Sequence, residues 1–252
     1  MPLIFSAIAP HPPIIIPEIG KGEETRAQKT IDALKELEGE LYMAKPDTIF
    51  IISPHSPISP DSFSLNLSTD FHNPETKLNF NCDVEMISKI KEMSNNEFQN
   101  IPVNIITEPK LDHGVCVPLY FLTQHLPQIK IVPISFCLLD NISHVEFGKL
   151  LHTAAQLSNK RIAIIASGDL SHSASTPQGK TFDHTLQKLL VEKDFNGIIK
   201  LRPDLITKAN ECGYRSILIL LGALDDLNIT PKIYSYEAPF DVGYLVAEFS
   251  LK

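Results

Sequence analysis

The stretch RIAIIASGDLSH (Arg161–His172) decides the fold class, because it runs from a fully apolar segment directly into a polar loop. Continuous apolar strands are typical of sheets that helices cover on both faces. Three other segments share this character: LIFSAIA (Leu3–Ala9), DTIFIIS (Asp47–Ser53) and KIVPISF (Lys130–Phe136). Segments with helical periodicity separate these strands along the chain. The alternation predicts an α/β fold.

The helical segments carry apolar residues at three- and four-residue steps. In the first one these residues are Ile31, Leu34, Leu37 and Leu41, and Pro46 ends it. Further helices are predicted over Asp83–Ser94, Val115–Leu126, His144–Ser158, Phe182–Lys193 and Pro203–Leu227. The remaining predicted strands are Ser62–Ser68, which alternates as a half-exposed strand does, Val103–Glu108, Ile233–Ala238 and Val242–Ser250. Pro118 is expected in the first turn of its helix. No repeat or linker divides the chain, so we treat residues 1–252 as one domain.

Composition excludes several classes of function. The 43% hydrophobic and 21% charged content is ordinary for a globular protein, and the net charge of −8 argues against nucleic acid or an anionic membrane surface as partner. The longest apolar run, Ser216–Leu224, is too short to span a membrane. The start of the chain lacks a basic signal-peptide region, and four scattered cysteines form no CxxC pair. We therefore expect a cytoplasmic protein with reduced thiols.

Four of the nine histidines lie at predicted strand ends or in tight loops: His11, His55, His113 and His172. Ligands of α/β sheets gather outside the carboxyl ends of the strands, where His11, His55 and His172 fall. Neutral imidazole is the commonest metal ligand, and prolines flank His11 and His55. One such histidine alone is better explained by hydrogen bonding in a loop. The prediction of a metal site therefore depends on all four histidines lying at one edge of the sheet. The other five are interpreted as surface or packing residues, namely His72, His125, His144, His152 and His184.

Acidic and thiol side chains near these histidines supply further candidates. Asp112 and Asp169 precede His113 and His172, so each could orient an imidazole or, equally, cap a turn. Asp169 could also reach the metal directly. The candidates for a third protein ligand are Glu211, Cys212 and Glu237. A carboxylate with two histidines is the ligand set of non-haem Fe(II) oxygenases, whereas a thiolate moves the preference toward zinc, copper or a softer iron site. The spacing does not decide among the three.

Five motifs, in order, resemble the class III extradiol dioxygenase superfamily, the group of the catalytic subunit of protocatechuate 4,5-dioxygenase. They are PHPP, SPHSP, LDHGVCVPLYFL, SGDLSH and ECGYRSILILLGAL. The resemblance is closer still to the Memo-like branch, called AmmeMemoRadiSam system protein B or the amino-terminal half of protein A. It spans nearly the whole chain. It implies a three-layer αβα sandwich around a mostly parallel mixed sheet, with the metal at one sheet edge.

The resemblance also implies roles for single residues. His11 and His55 match the two histidine ligands, and His172 matches the base that deprotonates a catechol hydroxyl. His113 matches the histidine that positions the substrate and supplies a proton. The family's third ligand is a glutamate, whose position falls on Gly213 here. Memo-like proteins keep a cysteine at the position of Cys212, which is therefore favoured over Glu211 and Glu237.

The expected activity is that of an extradiol-type dioxygenase, with Fe(II) as cofactor and Zn or Cu as alternatives. Its partners would be a small, catechol-like aromatic substrate and O2, and homo-oligomer formation is left open. Two rival interpretations are a zinc-dependent hydrolase and a Memo-like protein whose metal site serves a role other than oxygenation. The hydrolase would keep its activity without oxygen, and the Memo-like protein would need no open pocket.

Overall fold

The computed structural model describes residues 2–251. Their ten strands are β1 (Leu3–Ala9), β2 (Thr48–Ser53), β3 (Phe63–Asn66), β4 (Asp70–Asn73), β5 (Leu78–Cys82), β6 (Val103–Ile106), β7 (Lys130–Ser135), β8 (Ile162–Ser167), β9 (Ile229–Glu237) and β10 (Tyr244–Leu251). The α-helices are α1 (Pro17–Gly20), α2 (Gln28–Ala44), α3 (Val84–Asn96), α4 (His113–Leu122), α5 (Asn141–Gln156), α6 (Pro177–Glu192), α7 (Phe195–Ile199), α8 (Pro203–Ala209) and α9 (Tyr214–Ala223).

All ten strands form one mixed sheet, with the order β4-β5-β7-β2-β8-β1-β10-β9 and with β3 and β6 branching from β7. The central strands β7, β2, β8 and β1 are parallel to one another, and β10 and β9 are antiparallel at one side. Helices α2 and α4 cover one face, while α3, α5 and α9 pack together on the other. The predicted α/β fold, a three-layer αβα sandwich around a mostly parallel mixed sheet, is confirmed.

The central strands are apolar throughout because both of their faces lie under helices. Every residue of β2 and β8 is buried, as the uninterrupted apolar runs in the sequence predict. Because β1, β2 and β8 are parallel, their carboxyl ends meet at one edge of the sheet. This edge, which we call the carboxyl edge, carries the loops that begin at Pro10, Pro54 and Gly168.

The position of α9 is fixed by a close contact with α5. A Cβ atom at Gly148 would lie 2.1 Å from the carbonyl oxygen of Ile219, and one at Gly222 would lie 2.0 Å from the carbonyl oxygen of Val145. The two backbones therefore approach to a distance that only glycine allows at these two positions. As a result α9 lies against β8, with its amino terminus at the carboxyl edge.

Two helix predictions need correction. The single helix predicted over Pro203–Leu227 is two helices, because Asn210 adopts a left-handed conformation (φ 52°) that ends α8, and Gly213 packs against Gly168 before α9 begins. Pro118 is the sixth residue of α4 and not part of its first turn, because Asp112 caps the helix and α4 begins at His113, two residues earlier than expected. Its missing N–H leaves the carbonyl group of Gly114 without the usual helical donor.

The region between β2 and α3 also differs from the prediction. Strand β3 is buried at all four positions rather than half-exposed, because it lies between β6 and β7 inside the sheet. The β4–β5 hairpin and the short α7 were not predicted. Among residues 2–251 the structure contains no helix with the length and apolar character needed to cross a membrane.

Candidate metal centre

His11 is the central residue of the cluster at the carboxyl edge. It follows β1 between Pro10 and Pro12 and is 2% exposed. Its backbone N–H donates to Asp169 Oδ1 at 3.0 Å, and its Nδ1 lies 2.9 Å from Ser167 Oγ. When Nδ1–H donates to Ser167, the lone pair of His11 Nε2 faces the cluster. This arrangement fixes the tautomer that a metal ligand requires.

His55 approaches His11 from the neighbouring strand end, one residue after Pro54. The two Nε2 atoms are 3.0 Å apart. Two imidazole nitrogens at this distance repel each other unless a proton or a metal ion lies between their lone pairs. The His55 ring is exposed on its outer side and stacks on His113, with ring centroids 4.1 Å apart.

Asp112 connects the His113 helix to the His55 loop. Its carboxylate caps α4 by accepting from the Val115 N–H at 3.2 Å, and it accepts from the hydroxyls of Ser53 and Ser56 at 2.6 Å each. Asp112 therefore has a capping role, which was one of the two roles predicted for it. It also holds the loops that carry His55 and His113 together.

Cys212 reaches the cluster from the opposite side, just before α9. Its Sγ lies 3.5 Å from His11 Nε2 and accepts the backbone N–H of Asp169 at 3.3 Å. The thiol reaches this position because Gly168 and Gly213 touch: a Cβ at Gly168 would lie 2.1 Å from Gly213 Cα. Cys212 thus lies at the close contact between the β8 loop and the start of α9.

Asp169 and His172 complete the cluster. Asp169 Oδ2 lies 3.9 Å from His11 Nε2 and 4.0 Å from His172 Nε2, so this carboxylate faces two imidazoles. The His172 backbone N–H donates to the carbonyl of Ala209, and the preceding Ser171 is bonded to the buried Asp183 through its N–H and its hydroxyl. The loop that carries Asp169 and His172 is therefore held on both sides.

The donor atoms form two groups that share His11: one contains His11, His55 and His113, and the other His11, Asp169 and Cys212. The predicted ligand set of His11, His55 and Cys212 is thus divided between them. The physical reason is that His55 stacks on His113 on one side of His11, whereas the Asp169 N–H holds the Cys212 thiol on the other.

The two alternative third ligands lie outside both groups. The Glu211 carboxylate accepts from the Tyr214 N–H at 2.5 Å and so caps α9. Glu237 is distant in the fold: its carboxylate accepts from the N–H and the hydroxyl of Thr30 at 2.7 Å each, and it is no ion-pair partner for Arg215. The structure does not bring Glu237 to the histidines, because β9 lies at the far side of the sheet.

Burial determines the protonation of the cluster. It lowers the pKa of His11 well below its usual value, assisted by the neighbouring His55, His113 and His172. Burial also lowers the pKa of His55 and of His172. The same cause raises the pKa of Asp169 to about 7 and raises the pKa of the Cys212 thiol. The imidazoles of His11, His55 and His172 are therefore neutral near pH 7, whereas the Cys212 thiol would need a metal to lose its proton.

A cavity of about 360 Å³ opens beside His55. This volume lies in the range of small-molecule pockets, about 300–1,000 Å³. The loop after β2 contributes Ser56 and Pro57, and the other lining residues are His55, Asn66, Glu108, Lys110, Leu111 and Asp112. A ligand in this cavity would contact the exposed side of His55.

The remaining histidines lie away from the cluster. His125 is bonded to Glu38, and both ring nitrogens of the buried His144 lie within hydrogen-bond distance of carbonyl oxygens. Sequence reasoning gave no role to Ser167, which orients His11, or to Ser53, which joins Asp112 to the His55 loop. The available signal was that β2 and β8 both end in serine directly before a candidate loop.

Comparisons with known proteins show the family of this chain and proteins that resemble it in sequence or fold. The family model described as "Catalytic LigB subunit of aromatic ring-opening dioxygenase" matches residues 6–247. The fold is similar to that of an uncharacterized protein, JW3007, from Escherichia coli K12, with a TM-score of 0.69 and 16% identity over 97% of this chain and 99% of that one.

Among curated relatives, Protein CA_C1420 of Clostridium acetobutylicum is 33% identical over 94% of this chain and 55% of its own length. The MEMO1 family protein MMP1387 of Methanococcus maripaludis is 29% identical over 52% of this chain and 47% of its own length. A MEMO1 family protein of Methanosarcina mazei is 32% identical over 45% of this chain and 42% of its own. The chain thus spans about half the length of the curated relatives that it matches.

Proposed function

We propose that this chain, which belongs to the family of the catalytic LigB subunit of aromatic ring-opening dioxygenases, binds a non-haem ferrous ion and acts on a catechol-like aromatic substrate with O2. Residues 1–252 would act as one catalytic domain of this kind. The observation that carries the proposal is the convergence of donor atoms on His11 Nε2. His55 Nε2 lies 3.0 Å from it and Cys212 Sγ 3.5 Å. We therefore assign His11, His55 and Cys212 as the ligands in this proposal.

The residues fit a metal ion in their chemistry. Ser167 Oγ can accept from His11 Nδ1–H, which would direct the lone pair of Nε2 inward, and burial keeps the imidazoles of His11 and His55 neutral. The His55 and Cys212 donor atoms lie in the two separate groups that share His11, so ligation by all three residues would draw both toward one ion. Ferrous iron, when bound, would hold both oxygens of a catechol and pass charge from the ring to oxygen. All other steps depend on protons that the protein must move.

His172 is the base in this proposal. Its ring is about one-third exposed, at the rim of the cluster, and burial lowers its pKa, so it is neutral near pH 7 and able to accept a catechol proton. Asp169, 4.0 Å from its Nε2, would stabilise the imidazolium that forms. His113, on the opposite side of His55, would donate a hydrogen bond to the substrate oxygen on which negative charge develops.

Elemental analysis after purification without chelators tests the metal site. We expect near-stoichiometric iron in the wild-type protein and its loss in a His11→Ala/His55→Ala double variant. The matched control is His125→Ala/His184→Ala, which removes two exposed histidines away from the cluster. Equal metal content in the two double variants would contradict the assignment of the site.

Oxygen uptake with a panel of catechols tests the reaction. The iron-loaded protein should consume oxygen and form a yellow ring-opened product, and a His172→Gln variant should lose most of this activity while it retains iron. If no catechol causes uptake by the iron-loaded protein, the dioxygenase proposal fails even though the metal site stands.

One observation favours a second candidate. One of the donors near His11 Nε2 is a thiol. Soft thiolate ligands favour zinc or copper, whereas oxygen-activating iron sites use a carboxylate. The alternative is a Memo-like metal protein without dioxygenase activity, including a zinc-dependent hydrolase in which His172 moves protons of bound water. Zinc in the purified protein, with any turnover unaffected by strict anaerobiosis, would support this candidate.

A further inference from the structure

A buried carboxylate that the proposed reaction does not use contacts the loop that carries His172. This residue is Asp183, which lies in α6 and is 1% exposed. Its Oδ1 accepts the N–H of Ser171 at 2.8 Å, and its Oδ2 accepts the hydroxyls of Ser171 at 2.7 Å and of Tyr236 at 2.5 Å. All three donors are neutral, and within residues 2–251 Asp183 has no ion-pair partner. A carboxylate buried in this way costs free energy unless such hydrogen bonds satisfy it.

The carboxylate of Asp183 determines how the residue before His172 is held. A carboxylate only accepts hydrogen bonds, so the hydroxyls of Ser171 and Tyr236 both point toward it. Its two bonds to Ser171 fix the backbone and the side chain of that residue at the same time. The N–H of His172 itself donates to the carbonyl of Ala209, in α8, at 3.0 Å. The start of the His172 segment is therefore held from α6 on one side and from α8 on the other.

The turn between β9 and β10 closes over the same loop. Gly243, in this turn, accepts the N–H of Leu170 at 2.7 Å and donates to the carbonyl of Ser171 at 2.8 Å. A Cβ atom at Gly243 would lie 2.5 Å from Asp183 Oδ2, so a larger residue could not take this place without displacing the carboxylate. Together with Tyr236 of β9, this turn encloses Asp183 against the loop.

Asp183 also acts on the His172 imidazole through its charge. Burial lowers the pKa of His172, and the negative charge of Asp183 opposes this lowering. The other acidic neighbour of the ring is Asp169, whose Oδ2 lies 4.0 Å from His172 Nε2. A displacement of Ser171 would therefore move the imidazole relative to both of these acidic groups.

We propose that Asp183 is a positioning residue for the base. Its bonds to Ser171, supported by the Tyr236 hydroxyl, hold the His172 imidazole in the orientation in which a ring nitrogen accepts the substrate proton. Asp183 contacts neither the substrate nor the metal in this proposal. The inference rests on the proposed function, because that function assigns the role of base to His172. It adds that α6 and β9 control the position of this base from outside the metal centre.

Nuclear magnetic resonance of the metal-free protein with 13C-labelled histidine tests the position of the ring without turnover. The His172 ring signal is identified as the one that a His172→Gln variant lacks. We expect this signal to shift or broaden in Asp183→Asn and in Tyr236→Phe. Because Tyr236→Phe keeps the carboxylate, a change in this variant reports the position of the ring and not the loss of a charge. The matched control is Tyr234→Phe, which removes from the same strand a hydroxyl bonded to Glu248 and should leave the signal in place.

Turnover of a catechol by the Fe(II)-loaded variants tests the consequence for the base. We expect kcat to fall at least tenfold in Asp183→Asn and at least threefold in Tyr236→Phe, while KM stays within twofold of the wild-type value. Tyr234→Phe should retain both values. The value of kcat is expressed per bound iron, so that a loss of folded protein does not count as a loss of turnover.

The inference is overturned if Asp183→Asn or Tyr236→Phe leaves the His172 signal where the wild-type protein has it, or if Tyr234→Phe moves it equally. It is also overturned if the signal moves while turnover per iron is unchanged. If Asp183→Asn does not fold, Tyr236→Phe decides. If the wild-type protein turns over no catechol, the proposed function fails separately, and the resonance comparison alone decides whether Asp183 positions His172.

Discussion

At the scale of single residues, Asp169 has the most unusual environment in the molecule. It is 5% exposed, it accepts the His11 N–H, and its neighbours His11 and His172 are imidazoles that burial keeps neutral. No fixed positive charge contacts it among the described residues. Its raised pKa, about 7, therefore means that the metal-free fold must either hold a proton on this carboxyl group or keep a buried charge.

Replacing Asp169 with Asn should therefore stabilise the metal-free protein. A carboxyl group whose pKa is raised by folding does not destabilise the folded protein below its pKa in the unfolded chain, about 3.9. The folded protein loses stability as the pH rises from there through the pKa of the carboxyl group in the folded state. In EDTA-treated protein at pH 8, we expect Asp169→Asn to unfold with a free energy higher by on the order of 2–4 kcal/mol. Urea denaturation should show this gain shrinking as the pH falls toward 4. A constant gain from pH 8 to pH 4 would contradict the explanation.

Asp83 is a buried acid with the opposite behaviour. Burial alone would raise its pKa, but bonds from the Lys160 ammonium, the Thr48 hydroxyl and the Met86 N–H together lower it. Asp83→Asn should cost about 2–4 kcal/mol at pH 7, because it leaves the ammonium without its buried partner. A carboxylate whose pKa is lowered by folding stabilises the folded protein above its unfolded pKa, and this contribution is lost as the pH falls through its folded pKa. The destabilisation caused by Asp83→Asn should therefore become smaller below about pH 4. Urea denaturation at pH 7 and pH 3 measures the difference.

The histidines of the cluster could be predicted from the sequence, because each follows an apolar strand or begins a helix within a tight turn. The order of His55, His113 and Cys212 around His11 could not. It depends on the stacking of two rings and on one N–H bond to sulfur, and neither leaves a pattern in the sequence.

At the scale of elements, the α5–α9 contact places Cys212 at the carboxyl edge. Gly148→Ala should destabilise the protein by about 1–3 kcal/mol or more, because the new Cβ would overlap the Ile219 carbonyl. The control is Gly39→Ala in α2, where no atom lies within 4 Å of the added Cβ. This variant should be stabilised by roughly 0.5–1 kcal/mol through helix propensity alone. Equal effects of the two substitutions in urea denaturation would argue against the close contact.

The Gly168–Gly213 contact should govern the metal site more than it governs the fold. In Gly168→Ala the new Cβ would push the α9 start away from the β8 loop, and Cys212 would move away from His11 with it. We expect metal affinity to fall at least tenfold while the circular dichroism spectrum remains that of the wild type. Titration of the EDTA-treated protein with metal measures the affinity, and unchanged affinity would show that Cys212 is not a ligand.

Helices and strands could be predicted where hydrophobic periodicity is strong. They were missed where tertiary contacts determine the beginning or end of an element. The central strands and α2 follow their patterns closely. The break between α8 and α9 was not predicted, although Asn210 and Gly213 lie within it. Its causes are the left-handed conformation of Asn210 and a backbone contact of Gly213 with Gly168, over forty residues earlier. The β4–β5 hairpin was missed because its strands are short and rich in polar residues.

At the scale of the whole molecule, the proposed metal centre would join three parts of the chain that are distant in sequence: the end of β1, the loop after β2 and the start of α9. A ligand that binds only the folded state stabilises it by about 2.7 kcal/mol at a concentration 100 times its Kd. For a domain of this size, this corresponds to a rise in Tm of roughly 5–10 °C. Zn²⁺ or anaerobic Fe²⁺ should cause this rise in EDTA-treated protein. Mg²⁺ should not, and the His11→Ala/His55→Ala variant should show no rise with any of the three ions.

The position of β1 in the sheet has a consequence for the order in which the molecule is made. Residues 3–9 leave the ribosome long before their sheet neighbours β8 and β10, which begin at Ile162 and Tyr244. The nascent strand β1 must therefore wait, unpaired, while the segments between these strands are synthesised. Cys212 follows His11 by 201 residues, so the proposed set of metal ligands cannot be complete before the start of α9 has been made.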